Sequence, residues 1–244
     1  MDNVIVTGGS RGVGLAISCK LASVGYRVIA IARRESEEFS IAARQTCASG
    51  AGSLQFLPFD LAEVEAIPAL VKRIRTETGQ IYGLVNNAAM SAEGVLATMH
   101  NSQIEAMLRI NTLSPIVLTK YVVRMMMSNG RGRVVNISSI IASTGYNALS
   151  VYGASKASLV GFTKSLSREV GRVGVTVNAV APGFMNTEMT RTLDDAQRKR
   201  VARRSALGRL PDVADVADAV EYLFSEKARN ITGTVMTIDA GNTA

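Results

Sequence analysis

Residues 4–17, VIVTGGSRGVGLAI, run from four β-branched residues through a glycine-rich turn into a segment with helical periodicity. A strand that feeds a helix in this way opens a βα unit, because the helix must cross back before a parallel strand can join. Gly8, Gly12 and Gly14 are spaced GxxxGxG, which departs from the strict GxGxxG pattern. The physical opportunity is the same. Residues without a Cβ let backbone N–H groups and the positive end of a helix approach a pyrophosphate. A tight turn that binds nothing would also use glycine.

Further short β-branched runs follow at 27–32 (RVIAIA), 54–59 (LQFLPF), 82–86 (YGLVN), 132–138 (GRVVNIS), 175–181 (VTVNAVA) and 234–239 (TVMTID). Helical spacing fills the intervals, as in Leu15, Ala16, Cys19, Leu21 and Ala22, or Ile67, Leu70, Val71 and Ile74. Strands that are apolar almost throughout and alternate with helices predict an α/β fold, a doubly wound parallel sheet of about seven strands with helices on both faces. No linker or fixed-period repeat divides residues 1–244, so one domain is expected.

Composition narrows the function. A chain of 244 residues, 47% apolar, can bury a substantial core. Its formal net charge of +7 suits polyanions, whether nucleic acid, acidic proteins or phosphorylated cofactors. With 6 Tyr, 6 Phe and no Trp, and no basic run interleaved with aromatics, nucleic-acid binding is not expected. Cys19 and Cys47 have neither CxxC spacing nor His neighbours, which leaves no basis for a disulfide framework or a metal site. The first apolar run is too short for a signal peptide, and no run of about 18 apolar residues occurs. The expectation is a soluble, cytoplasmic protein that does not enter a membrane.

The end of the second strand bears on the choice of nucleotide. A site for NAD carries a carboxylate about twenty residues past the glycines, whereas a 2′-phosphate calls for a cation. Here Ala32 is followed by Arg33 and Arg34, with Arg11 available from the glycine turn. A guanidinium binds phosphate bidentately, which favours NADPH, unless these arginines are simply solvated loop charges. Asp60, after the third strand, suits either the adenine amino group or a helix N-cap. Asn86, Asn87, Ala88 and Ala89 end the fourth strand, where small and amide side chains fit a ligand-binding edge or a plain asparagine turn.

Chemistry concentrates after the fifth strand, which places Ser138 and Ser139 at the same carboxyl edge. Tyr152 and Lys156 follow on a segment whose Leu159, Phe162, Thr163, Leu166 and Val170 repeat at helical spacing, so phenol and ammonium share one face. A free phenol has a pKa near 10, and a nearby ammonium is expected to lower it. Such a tyrosine can protonate a carbonyl oxygen while a hydride reaches the carbon, and a serine hydroxyl can stabilise the developing oxyanion. Tyrosine and lysine at this spacing also occur as an ordinary helix-surface pair. His100, the only histidine, precedes a probable helix start and is not expected to act.

Ile104, Leu108, Asn111, Pro115, Leu118, Val122 and Met125 fall at steps of four and three, which puts Asn111 in an apolar stripe. Pro115 has no N–H, so the Asn111 carbonyl loses its helical donor. The expectation is that this carbonyl and the amide hold a water passing protons towards Lys156. The alternative is a kinked helix whose asparagine makes structural bonds alone.

Taken together, TGGSRGVG, NNAA, Asn111, Ser139, YGASK and VAPGF stand in the order and spacing of the short-chain dehydrogenase/reductase family, which the chain resembles over nearly its whole length. The resemblance implies a Rossmann domain that binds NADPH. Gly8, Ser10, Arg11, Gly12, Val13 and Gly14 would line the phosphates, and Arg33 and Arg34 the 2′-phosphate. Asp60 and Leu61, with Asn87, Ala88 and Ala89, would flank the adenosine. It implies a catalytic tetrad of Asn111, Ser139, Tyr152 and Lys156, the last also bonding the ribose. Pro182, Gly183, Phe184 and Met185 would shape the nicotinamide pocket, with Thr187 on the carboxamide.

Residues 154–191 look most like the 3-oxoacyl-acyl-carrier-protein reductases of that family, which are usually homotetramers packing the tyrosine-bearing helix against its copy. Small Gly153, Ala154, Ser155 and Ala157 would allow that approach. An acidic acyl-carrier protein is implied as partner, with Arg131, Arg133, Arg168 and Arg172 as its docking patch. The ending IDAGNTA departs from the usual VDGG. The arginine-rich stretch 187–208 reads as a substrate lid or as a solvated helix. The leading expectation is reduction of a 3-oxoacyl thioester. The alternative is another ketone or secondary alcohol, such as a sugar, polyol or steroid. A nucleotide-binding regulatory subunit is a third reading, disfavoured by the intact tetrad.

Overall fold

Alternation of apolar side chains sets the architecture strand by strand. In β1 (Asn3–Thr7), Val4 and Val6 join one hydrophobic layer and Ile5 the other, as a period of two requires. Val28 is divided in the same way from Ile29 and Ile31 in β2 (Arg27–Ala32). Both faces of the strands are therefore buried, which is the condition for a parallel sheet.

The computed structural model describes residues 1–185 and 195–244. Along the chain come β1, α1 (Gly12–Ser23), β2, α2 (Glu37–Ser49), β3 (Ser53–Pro58), α3 (Ile67–Thr78) and β4 (Ile81–Asn86). Then follow α4 (Asn101–Leu108), α5 (Ser114–Asn129), β5 (Gly132–Ile137), α6 (Ile141–Thr144), α7 (Ser150–Val170) and β6 (Val175–Pro182). The order closes with α8 (Asp195–Arg204), α9 (Val213–Phe224) and β7 (Val235–Ile238). The strands lie in the order β3-β2-β1-β4-β5-β6-β7, all parallel. Direction reverses between β1 and β4, which opens a crevice beyond their carboxyl ends.

One layer of the core packs α3, α5 and α7 through residues such as Leu70, Leu118, Val122 and Leu166. The other packs α1 and α9 through Ile17, Leu21, Val220 and Leu223. Gly83 in β4 leaves room for Phe224: a Cβ there would come within 2.3 Å of the ring. Among the described residues no helix is long and apolar enough to cross a membrane.

Two local departures from the sequence reading matter for the site. Between α4 and α5 the chain makes a π-helical turn, Arg109–Leu113, rather than a simple kink. Pro115 falls in the first turn of α5, where a missing N–H is tolerated. The extra residue shifts the helical register, so Leu108 is exposed and Met107 takes the inward position before Asn111.

Candidate active site

The nucleotide end is assembled from backbone. Gly8 and Gly14 are required by close approach: a Cβ on Gly8 would meet Asn87 Nδ2 at 2.9 Å, and one on Gly14 would meet the Gly8 carbonyl at 2.1 Å. Gly12 differs, since its φ of +52° suits glycine and nothing lies within 4 Å of a Cβ placed there. That open cradle faces the start of α1, whose first turn has no side-chain cap. Its N–H groups and positive dipole end suit an anion.

Thr7 and Asn87 hold this turn against β4. Thr7 Oγ1 accepts from the Asn87 and Ala88 N–H groups, each at 3.0 Å, while Asn87 Nδ2 donates to Thr7 O at 2.9 Å and Gly8 O at 3.3 Å. Asn87 is thus a fastener of the glycine turn. Buried Ser10 is tied in through its carbonyl, which accepts from Ser36 Oγ. Arg11 and Val13 sit on the same turn, the former as the residue preceding α1.

Arg33 and Arg34 are exposed just beyond β2 and belong to none of the ion pairs among the described residues. Asp60 caps neither flanking helix. It accepts from Ala62 N–H at 2.9 Å in a turn that precedes α3, next to buried Leu61. Ala88 and Ala89 are partly buried at the end of β4.

The chemical end depends on side chains immobilised by backbone. Lys156 is buried on α7, and its Nζ donates to Ile137 O at 2.8 Å. Ser138 Oγ, also buried, donates to Lys156 O at 2.9 Å, fixing the helix to β5. The Ser139 hydroxyl is near enough to the Tyr152 phenol to influence its pKa, and the Lys156 ammonium lies 5.8 Å from the centre of the Tyr152 ring. Ser139, Tyr152 and Lys156 therefore lie together at the carboxyl edge of the sheet.

Their electrostatics differ from the sequence reading. Burial raises the Tyr152 pKa above 10, and the nearby Ser139 hydroxyl only partly opposes it. Burial also lowers the Lys156 pKa, from 10.5 to about 8. The ammonium donates to the Ile137 carbonyl and lies 5.8 Å from the ring centre, and burial of the phenol is the dominant influence on its pKa. The chain's own residues keep Tyr152 protonated at neutral pH.

Asn111 is buried, and its amide has partners on both its oxygen and its nitrogen. It accepts from Met90 N–H at 2.9 Å and donates to Met90 O at 2.8 Å and Ser155 Oγ at 3.0 Å. Both N–H donors of the amide therefore have partners, which leaves its Oδ1, with a second lone pair, as the atom of the amide able to bond a water. Ser155 Oγ in turn donates to Tyr152 O at 2.7 Å, linking Asn111 to the tyrosine's own turn of helix.

Asn136 and Thr119, which the sequence reading passed over, hold the centre together with Asn86 and Thr163. Asn86 Nδ2 donates to Asn136 Oδ1 at 2.8 Å and Thr119 Oγ1 at 2.9 Å, and Asn136 Nδ2 donates to Thr163 Oγ1 at 2.8 Å. This buried chain clamps α5, β4, β5 and α7 together. Its only signal in sequence is an asparagine inside an apolar strand, since a buried amide needs partners.

The nicotinamide-side residues follow β6. Pro182 O accepts from Ile140 N–H at 3.0 Å, and Gly183 N–H donates to Ile238 O at 2.9 Å. A Cβ on Gly183 would stand 2.7 Å from that of Asp239. Phe184 packs on Tyr146 at 5.4 Å between ring centres, and Met185 is buried. Thr187 lies outside the described residues, as does most of the first half of the expected lid at 187–208.

Two expectations about surfaces need correction. Arg133 is buried at the opposite end of the sheet, paired with Glu226 at 3.4 Å and set over the Tyr82 ring, so it cannot dock a partner. Arg131 is paired with Asp2 at 2.6 Å over the same ring. Arg168 and Arg172 remain exposed, with Arg168 about 24 Å from Tyr152 along α7. Ser155 is likewise no subunit contact, since it is buried against Asn111. Gly153 lets Ile141 of α6 approach within the same chain.

A glycine-lined helix start at the switch point and a serine–tyrosine–lysine centre at the neighbouring strand ends define an oxidoreductase of the short-chain dehydrogenase family. The chain belongs to that family, whose description "short chain dehydrogenase" matches residues 2–198. Its relatives include the 3-oxoacyl-acyl-carrier-protein reductase FabG of Escherichia coli, 38% identical over 97% of this chain and 95% of that protein. FabG of Vibrio harveyi is 39% identical with the same coverage. In shape the chain is similar to a gluconate 5-dehydrogenase from Burkholderia cenocepacia, solved with NADP and tartrate. The TM-score is 0.93 at 27% identity, covering 99% of this chain and 95% of that one.

Proposed function

We propose that the protein reduces a 3-oxoacyl thioester carried on acyl-carrier protein to the 3-hydroxyacyl form, using NADPH. The observation that carries this reading is the 38% identity to FabG across 97% of the chain, with Ser139, Tyr152 and Lys156 brought to one point.

The residues present fit the cofactor. The open cradle at Gly12 and the start of α1 would hold the pyrophosphate, together with Gly8, Ser10, Arg11, Val13 and Gly14. Arg33 and Arg34 would hold the 2′-phosphate, with Asp60, Leu61, Asn87, Ala88 and Ala89 along the adenosine. Lys156 would bond the ribose, and Pro182, Gly183, Met185 and Thr187 would border the nicotinamide. When bound, the dihydronicotinamide supplies the hydride.

The chain itself supplies the proton and the oxyanion contact. Tyr152 Oη donates its proton to the substrate's carbonyl oxygen, while the Ser139 hydroxyl donates a hydrogen bond to the same atom. A phenol that burial keeps protonated is in the state reduction needs at the outset. The Lys156 ammonium then stabilises the phenolate left behind. Asn111 aligns α7 through Ser155 and, by its main-chain carbonyl, serves the return of a proton towards Lys156.

Further parts of this reading are a homotetramer, a cytoplasmic location, one domain over residues 1–244 and a lid around residues 187–208. Arg168 and Arg172 are the remaining basic candidates for docking an acidic carrier protein. Steady-state oxidation of NADPH with acetoacetyl-acyl-carrier protein tests the assignment. Turnover that is negligible there, but rapid with a sugar or steroid, would overturn it. The likeness to gluconate 5-dehydrogenase favours a second reading, interconversion of a polyol or sugar-acid ketone by the same centre.

A further inference from the structure

A cavity whose wall includes Ile140 has a cation in its lining and, among the described residues, no carboxylate. Its volume is about 220 Å³, and it begins at Ile140, directly after Ser139. Ile140, Ile141, Phe184 and Val201 give it apolar walls, whereas Arg204 and Asn242 bring polar groups from α8 and the C-terminal turn. Among the described residues no Asp or Glu lines it.

The backbone that carries both residues is held by local structure. The end of α8 is fastened by buried Ser205, whose Oγ interacts with Ala202 O at 2.8 Å and Arg209 O at 2.7 Å. The C-terminal turn braces the same segment, because Ala206 and Leu207 N–H groups donate to Gly241 O at 3.2 Å and Ala240 O at 3.0 Å. Asn242 N–H donates to Asp239 O at 3.2 Å. Arg204 takes part in none of the ion pairs among the described residues. An exposed guanidinium at the edge of a partly apolar recess, with no ion-pair partner among the described residues, makes the local potential positive and offers a planar fork to a carboxylate.

We infer that Arg204, assisted by Asn242, receives a substrate carboxylate, so that the centre also reduces short oxo acids whose ionised carboxyl stands a few bonds from the ketone. Ile140 of the cavity wall is the residue next to Ser139, which favours a carboxylate near the ketone. A thioester is neutral at this position, and the phosphate of a carrier arm is much farther from the ketone. In the reaction the ketone carbon gains a hydride from NADPH and its oxygen gains the Tyr152 proton. The products are a secondary alcohol and NADP+, and the carboxylate is unchanged. The inference rests on the Ser139–Tyr152–Lys156 centre proposed above, but not on a thioester substrate.

The test compares acetoacetate with its neutral ester, ethyl acetoacetate, using the full-length enzyme, NADPH and the variants Arg204→Ala and Arg204→Lys. In Arg204→Ala the ratio of kcat/KM for acid over ester should fall about tenfold to a hundredfold, the loss of a hydrogen bond to a charged group. Arg204→Lys should restore part of it, since charge survives without the fork. Equal change for acid and ester, or no reduction of acetoacetate by the wild type, overturns the inference. If acetoacetyl-acyl-carrier protein is reduced while acetoacetate is not, the carboxylate site fails and the thioester reading stands. Arg204-dependent reduction of acetoacetate without thioester turnover has the reverse meaning.

Discussion

The two halves of the sheet's carboxyl edge solve different problems by different means. At the ends of β1 and β4, close approach is made by leaving side chains out, with Gly8, Gly12 and Gly14 around the start of α1. At the ends of β5 and β6, side chains are buried and immobilised, with Lys156 bonded to Ile137 O and Asn111 locked between Met90 and Ser155. A nucleotide's phosphates can be read by any backbone that comes near enough. A proton donor must instead have a defined position and a defined pKa, which takes burial and fixed partners.

This contrast can be broken most directly at Tyr152. Tyr152→Phe keeps the ring but removes the proton, and kcat for carbonyl reduction should fall about a thousandfold while NADPH binding by fluorescence titration is retained. Comparable loss of both would mean that the tyrosine organises the nucleotide half as well. The next largest effect belongs to the opposite half. Arg33→Ala with Arg34→Ala should weaken NADPH by about tenfold or more and leave NADH nearly as before, since only the former carries the 2′-phosphate. Equal weakening would show that neither arginine reads that phosphate.

Glycine substitutions sharpen the contrast within the nucleotide half. Gly14→Ala forces a Cβ against the Gly8 carbonyl and should destabilise the fold by about 1–3 kcal/mol in denaturant titration. Gly12→Ala meets open space, so it should lose about 1–2 kcal/mol through its left-handed backbone alone, with an added loss of nucleotide affinity. The smallest effect is expected at the C-terminal turn. Ala240 has a φ of +57°, and Ala240→Gly should raise stability by about 1 kcal/mol. An unchanged melting temperature would remove strain from the description of that turn.

Most of the architecture was legible because it depends on local pattern. β-branched runs separated by amphipathic segments located every strand, and RVIAIA coincides with β2. The glycine turn and the YxxxK pair were legible for the same reason, since spacing along one helix or turn is enough to place them. What escaped depends on contacts between distant residues. Asn136 and Asn86 are 50 residues apart, and Asn136 and Thr163 are 27 apart. Nothing local showed that Tyr82 and Glu226 would close over Arg133, which turned an expected docking arginine into a structural one. The π turn shifted the helical register by one position and exposed Leu108. The pKa directions escaped too, because they follow from depth of burial rather than from residue spacing.

Buried Lys156 also ties stability to pH. Its folded pKa of about 8 lies below its ordinary 10.5, so the unfolded chain binds more protons between those values. The stability of the wild type relative to Lys156→Met should therefore rise with pH across that window. A flat difference would mean that the ammonium is better compensated than its burial implies.

The account centres on a buried, protonated Tyr152 that donates to a carbonyl while Lys156 carries positive charge. Its most direct test is the pH dependence of kcat/KM for NADPH-driven reduction of acetoacetyl-acyl-carrier protein. The predicted profile is level near neutrality and falls as pH rises through about 8, where Lys156 loses its proton, and further where the phenol ionises. A rate that climbs with pH over this range would contradict it, because the tyrosine would then be acting as a base.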